Sequence, residues 1–308
     1  MEMEITMKKC ALHSLGCKVN SYETQAMQKM MESAGYEIVP FGEEIADIYI
    51  INTCSVTNIA DRKSRQMIHK AKKINPEAVV AAAGCYVESA GDNIDEDVDI
   101  VIGNNEKSHL IEILNEYFEH MDKEKSVDIG KATGFDELNI DSPLEHTRAY
   151  VKIQDGCNRF CSYCIIPYVR GRIRSRKPDD VMAEIKRVAA SGCKEVVLTG
   201  IHLSSYGLDF KDSTVKLIDV IEAVNRIEGI ERIRLGSLEP LIVTEEFVRR
   251  LAKCKKICPH FHLSLQSGCD ETLKRMNRRY NVDEYYKGVE LLREYFPDAA
   301  VTTDVIVG

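Results

Sequence analysis

Short runs of β-branched and small apolar residues alternate along the chain with longer stretches whose apolar positions return every three or four residues, the pattern of strands followed by helices. In the first half the strand candidates are CALHSLG (10–16), ADIYIINT (46–53), AVVAAAG (78–84) and VDIVIG (98–103), with helices predicted near 20–34, 57–73 and 107–120. This alternation predicts an α/β fold, a doubly wound parallel sheet covered by helices. A polar, acid-rich stretch near 121–146 reads as a linker with a short hairpin. From Ala149 the alternation restarts, with strands at AYVKIQDG (149–156), KEVVLTG (194–200), ERIRLGS (231–237), HFHLSLQ (260–266) and AVTTDVIVG (300–308), each of the first four followed by a helix. Parallel strands joined by helices in this number predict an open or partial (β/α) barrel whose chemistry sits at the carboxyl ends of its strands. The expected division is a first domain over 1–122, a linker over 123–146 and a partial barrel over 147–308, incomplete because its last strand ends on Gly308 without a covering helix.

On this frame the cysteines fall in two sets of three. Cys157, Cys161 and Cys164 are spaced C-x3-C-x2-C in a loop just after the first barrel strand. Tetrahedral zinc or an all-cysteine iron–sulfur cluster takes four ligands, so three thiolates leave one position open for a substrate. Cys17, Cys54 and Cys85 each close a strand candidate of the first domain, in HSLGC, IINTC and AAAGC. In a parallel sheet all carboxyl ends lie on one edge, which is where α/β proteins build their sites. The turns that follow open helices, whose free N–H groups favour thiolates and anionic clusters. The plainer readings are a zinc knuckle for the first set and buried structural cysteines for the second. Cys254 and Cys258 form another C-x3-C with no third partner and read as structural, while Cys10, Cys193 and Cys269 read as spare thiols.

Composition narrows the class. The chain has 308 residues, enough for about two domains, and its 44% hydrophobic and 29% charged residues are those of an ordinary globular protein. The N-terminal MEMEITMKKC carries no apolar signal core, and no apolar run approaches the roughly 18 residues a membrane span needs, so a cytoplasmic protein is expected. Eleven cysteines in such a chain point to metals or catalysis and away from disulfides. The net charge of −8 argues mildly against nucleic acid, but two basic runs stand out: DRKSRQMIHKAKK (61–73), with six basic residues against one acid, and YVRGRIRSRK (168–177), with five and none. Either can be a solvated helix face or a phosphate-binding surface.

With Tyr163 directly before the last cysteine, the C-x3-C-x2-C loop resembles the radical S-adenosylmethionine superfamily. Together with LGCKVNSYETQAM (15–27), INTCSVTNIADRKSRQ (51–66), AAAGCYVE (81–88), VKIQDGCNRFCSYCIIPYVRGRIRSR (151–176), VVLTGIHLSSYG (196–207) and SLQSGCDETLKRMNRRY (264–280), the chain resembles the methylthiotransferases, and within them the branch acting on threonylcarbamoyladenosine in tRNA. Related branches act on isopentenyl-adenosine or on an aspartate of a ribosomal protein. The resemblance implies two 4Fe-4S clusters, one on Cys157, Cys161 and Cys164 and an auxiliary one on Cys17, Cys54 and Cys85, with S-adenosylmethionine as the source of a 5′-deoxyadenosyl radical and of the methyl group. No protein acid or base is implied as catalyst, because the cofactors carry the chemistry. Carried over with the family are contacts to S-adenosylmethionine from Tyr163, Thr199, Gly200, Ser237, Glu239 and Arg176, with Arg174 an alternative to Arg176 and a tRNA phosphate an equal partner for either. His202 reads as a site residue or a hydrogen-bonded loop histidine. The implied partners are the anticodon stem-loop of tRNA, an external electron donor and a sulfur donor, with no membrane. The family's usual C-terminal tRNA-gripping β-barrel has no counterpart in this sequence.

Overall fold

The structure is a computed structural model that describes residues 8–120, 129, 132, 134–143, 147–211 and 214–307. The chain forms two compact units, Met1–Ile140 with Tyr168–Gly171, and Asp141–Pro167 with Arg172–Gly308. Much of the expected linker, including 121–128 and 144–146, lies outside the described residues.

The first unit holds β1 (Lys9–Ser14), β2 (Glu37–Ile38), β3 (Ile48–Thr53), β4 (Val79–Gly84) and β5 (Ile100–Ile102) in one all-parallel sheet, ordered β2-β1-β3-β4-β5. Helices α1 (Lys18–Ser33), α2 (Asn58–Ile74), α3 (Cys85–Ala90) and α4 (Leu110–His120) connect and cover it. Successive side chains of a strand point to opposite faces, so the unbroken apolar run of β3 feeds two cores. Ile48 and Ile50 pack with Met27, Met31, Leu110 and Leu114 on one side, and Tyr49 and Ile51 with Ile68, Ala71, Tyr86 and Val87 on the other. Cys10 belongs to the first of these cores, where burial pushes its thiol up to about 12. Helix α2 starts where Thr57 Oγ1 accepts from Ala60 N–H at 3.1 Å, a side-chain N-cap.

In the second unit, β6 (Ala149–Asp155), β8 (Glu195–Gly200) and β9 (Arg232–Leu235) are parallel neighbours, and β7 (Arg174–Ser175) adds antiparallel to β6. Single bridges, Ile233 with Ile257 and Leu238 with Leu263, carry the series on to the parallel pair β10 (His260–His262) and β11 (Ala300–Thr302). Helices α5 (Ile166–Val169), α6 (Pro178–Ala190), α7 (Leu217–Asn225), α8 (Glu245–Leu251), α9 (Asp270–Arg275) and α10 (Val282–Tyr295) complete the chain. This open (β/α) series and the parallel sheet of the first unit are the architecture the alternation predicts. The two-residue strands β2 and β7, and α3, which begins with no intervening turn after β4, were not among the predicted elements.

Candidate metal and cofactor sites

The cysteine loop of the second unit leaves the carboxyl end of β6 and turns back on itself, with Cys164 N–H bonded to Cys161 O at 2.9 Å. Burial pushes the Cys157 thiol up to about 11, Cys164 and Cys161 adding to the effect while the Arg159 N–H, 3.4 Å from the sulfur, opposes it. Cys164 is raised in the same way, by burial and then by Cys161, against the Ile166 N–H and the Arg278 guanidinium. The three sulfurs therefore share one electrostatic neighbourhood.

A segment more than 100 residues away in sequence holds this loop. Asn277 donates from Nδ2 to Phe160 O at 2.9 Å and to Arg159 O at 3.2 Å, Met276 O accepts from Ser162 N–H at 3.2 Å, and Arg278 Nη1 lies 3.2 Å from Cys161 Sγ. Asn277 ends α9 with φ +58°, and Arg278 N–H reaches back to Leu273 O, the left-handed helix stop that asparagine tolerates. Arg278 is fixed in turn by Tyr280, whose hydroxyl shares its one proton between Ser264 O and Leu265 O and accepts from Arg278 Nε at 3.0 Å. In the sequence this stretch stands out only as part of the family marker SLQSGCDETLKRMNRRY (264–280). Its one local signal was an asparagine placed to stop a helix.

Around the loop, the other expected cofactor contacts take different places. Thr199 and Gly200 end β8, and a methyl group on Gly200 would lie 2.9 Å from Gln154 Cβ, so glycine is what lets β6 and β8 close at this point. Gln154 Oε1 accepts from His202 N–H at 2.6 Å, and the His202 ring sits on Ser205 Oγ, with Nε2 3.6 Å from Glu239 Oε2. Glu239 is buried and ion-paired with Arg159, and its backbone N–H bonds Ser204 Oγ. Burial alone would raise the Glu239 carboxyl, but its neighbour His202 and the Arg159 and Arg278 guanidinium groups together hold it below its ordinary value. Arg159 and Glu239 also line a cavity of about 270 Å³ with Tyr206, Leu217 and Phe247. Tyr163 is half exposed and Ser237 exposed. Arg176 is fully buried in an ion pair with Glu184 on α6, so a ligand carboxylate would have to displace that partner to reach it.

The basic run 168–177 is not the solvated phosphate surface that its composition allowed. Arg170, Arg174 and Arg176 are all buried, Arg174 lying 3.8 Å from Asp155, and only Arg172 and Lys177 of the five cations are exposed. The run 61–73 differs: on α2, Arg62, Lys63, Arg65, Lys70 and Lys73 face solvent. Cys254 and Cys258 are buried, each thiol raised first by burial, as structural cysteines are.

In the first unit, Cys17, Cys54 and Cys85 follow β1, β3 and β4, which are adjacent in the sheet, so the three converge on one edge. Cys17 caps α1 and Cys85 is the first residue of α3. Gly16 has φ +95°, and a methyl group there would lie 2.7 Å from Cys54 Cβ and 2.8 Å from its Sγ. Only glycine lets the β1 turn come this close to Cys54. Burial raises the Cys54 thiol, Cys85 and Cys17 raise it further and the Arg170 guanidinium pulls it back, while Cys17 is exposed.

Thiolates on a single zinc ion, each about 2.3 Å from the metal, would lie about 3.8 Å apart. Among the described residues no three cysteine sulfurs lie within 4.8 Å of one another, so neither set is gathered as closely as the thiolates of one zinc ion. His69, Asp95 and Asp97 do gather that closely, but His69 is exposed on α2 and its Nε2 hydrogen-bonds Asp95 at 2.8 Å, which reads as a surface contact.

Comparison with known proteins places the chain in a family. Residues 151–308 match the Radical SAM superfamily and residues 9–103 the uncharacterised protein family UPF0004. The chain is 42% identical over 306 residues to the threonylcarbamoyladenosine tRNA methylthiotransferase MtaB of Bacillus subtilis (strain 168), covering 98% of this chain and 67% of that protein. The chain belongs to the radical S-adenosylmethionine methylthiotransferase family. Its methylthiotransferase relatives include the MtaB of Aquifex aeolicus (strain VF5), 42% identical over 97% of this chain and 73% of that one. A tRNA-2-methylthio-N(6)-dimethylallyladenosine synthase of Clostridium botulinum (strain Langeland) is 35% identical over 96% of this chain and 67% of its own. Among solved structures, the radical S-adenosylmethionine methyltransferase TsrM of Kitasatospora setae, with cobalamin and a 4Fe-4S cluster bound, superposes at a TM-score of 0.66. It covers 98% of this chain and 70% of its own at 14% identity, a likeness of fold.

Proposed function

We propose that this methylthiotransferase acts on tRNA, replacing the hydrogen on carbon 2 of N6-threonylcarbamoyladenosine in the anticodon stem-loop with a methylthio group. The supporting observation is a pair of three-cysteine sets, each at strand carboxyl ends and each one ligand short of a closed site, in a chain 42% identical to two threonylcarbamoyladenosine tRNA methylthiotransferases. Cys157, Cys161 and Cys164 would hold one 4Fe-4S cluster, and Cys17, Cys54 and Cys85 an auxiliary one. When bound, these groups supply the electron that cleaves S-adenosylmethionine and a sulfur for the substrate carbon, drawing on an external electron donor and a sulfur donor.

The chain's own residues prepare the sites. Asn277 and Arg278 fix the first cysteine loop, and the Arg159–Glu239 pair ties that loop to the residues after β9. Thr199 and Gly200 at the end of β8, with Tyr163 and Ser237, are the places for S-adenosylmethionine, and the exposed cations of α2 offer contacts to tRNA phosphates. No helix among the described residues is long and apolar enough to cross a membrane, and the proposed place of action is the cytoplasm.

Anaerobically reconstituted protein should carry about eight irons per chain and release 5′-deoxyadenosine under reduction. Mass spectrometry of tRNA nucleosides from a strain lacking the gene should show loss of the methylthio form of threonylcarbamoyladenosine, restored by the intact gene. Loss of the isopentenyl-adenosine product in its place would move the protein to the other tRNA branch.

A further inference from the structure

Behind the Cys17–Cys54–Cys85 edge lies a buried polar network that joins two sequence motifs about 150 residues apart. Arg170 Nη1 bonds Glu23 Oε1 at 2.6 Å, while Arg170 Nη2 bonds Glu23 Oε2 at 3.1 Å and Asn20 Oδ1 at 2.6 Å. Glu23 also pairs with Lys107 at 2.9 Å, and Lys107 is held by Asn104, whose amide donates to Val169 O at 2.7 Å. Arg170, Glu23, Lys107 and Asn104 are 0% exposed. Charges this deep persist only when paired and hydrogen-bonded, so the arrangement is fixed to one geometry.

Asn20 passes that geometry to the cysteines. Its Nδ2 donates to Leu15 O at 2.7 Å and Thr53 O at 2.8 Å, the carbonyl two residues before Cys17 and the carbonyl directly before Cys54. Its Oδ1, held by Arg170, lies 3.9 Å from Cys17 Sγ. One amide thus sets the spacing of two of the three cysteine turns, and one guanidinium sets the amide. Two cations face a single carboxylate at the centre of this network, with Glu88 half-buried at its margin accepting from Asn104 N–H.

We infer that Arg170 is a positioning residue of the Cys17–Cys54–Cys85 centre, acting through Asn20. The inference rests on the proposal that this trio holds a cluster. It gives Arg170, which lies in the basic run after the radical-generating loop, a role in the auxiliary site and none in phosphate binding.

The test uses the full chain with Cys157, Cys161 and Cys164 replaced by alanine, reconstituted anaerobically, so that only auxiliary iron is counted. That background should hold about four irons. Arg170→Lys, which keeps a cation opposite Glu23 but loses the planar fork, and Asn20→Ala, which keeps every network charge, should each release iron to a chelator about tenfold faster or more. Each should also shift the cluster's reduction potential, while the apo-proteins melt cooperatively. Should Arg170→Lys not fold, Asn20→Ala alone decides. Iron release and potential unchanged in the folded variants would overturn the inference and leave the two-centre proposal standing. A background that takes up no iron would overturn that proposal, and the inference with it.

Discussion

Asn277 adopts a backbone conformation most residues avoid and uses its side chain to hold two carbonyls of the cysteine loop. Asn277→Gly separates these roles, since glycine accepts the conformation and lacks the amide. It should leave the melting temperature within a few degrees while hastening iron loss from the reconstituted loop about tenfold, measured by chelator challenge. Glu239 gives a pH-dependent counterpart. Its carboxyl is held below the ordinary glutamate value in the folded protein, so its pairing stabilises the fold fully above about pH 4.3, the unfolded value, and fades as pH falls through the lower folded value. Glu239→Gln should therefore cost about 3 kcal/mol at neutral pH, as broken buried pairs do, and progressively less below pH 4 in chemical denaturation. At this scale the sequence was legible only in part. The six cysteines stood out because their spacing is local or their strands are. Arg159 with Glu239, and Asn277 with the cysteine loop, are pairs 80 and 117 residues apart or more, and such contacts leave no periodic trace in a sequence.

Among the elements, every strand of three residues or more could be read: β1, β3, β4, β5, β6, β8, β9, β10 and β11 lie inside or within a residue of their predicted ranges. β2 and β7, at two residues each, are shorter than a full period of the pattern, and α3 has no turn before it to announce it. Charge misled where periodicity did not. Both basic runs carry the same excess of five cations over acids, yet α2 turns most of its cations to solvent while 168–177 folds three of its five inward against carboxylates and amides of other elements. A binding surface for tRNA phosphates is therefore expected on α2. Replacing Arg62 and Lys63 by glutamate should weaken tRNA binding across sequences and reduce the slope of log affinity against log salt by about one per lost contact, with the melting temperature little changed.

At the scale of the whole molecule, the alternation of strands and helices was enough to predict a wound parallel sheet followed by an open barrel, because both follow from short-range pattern and from the handedness of crossovers. It could not reveal that the first unit is discontinuous, taking Tyr168–Gly171 from beyond the start of the barrel series. The stretch that begins at Cys157 serves the barrel's cysteine loop, and a few residues later Arg170 completes the buried network of the sheet. A gene divided at the natural-looking seam near residue 140 would thus strand Glu23 and Asn20 without the guanidinium they were built around, and would leave the other piece carrying an arginine with no acid to meet. Exchange of modules between family members, in a laboratory or over evolutionary time, has to bring this four-residue stitch along with the sheet it serves.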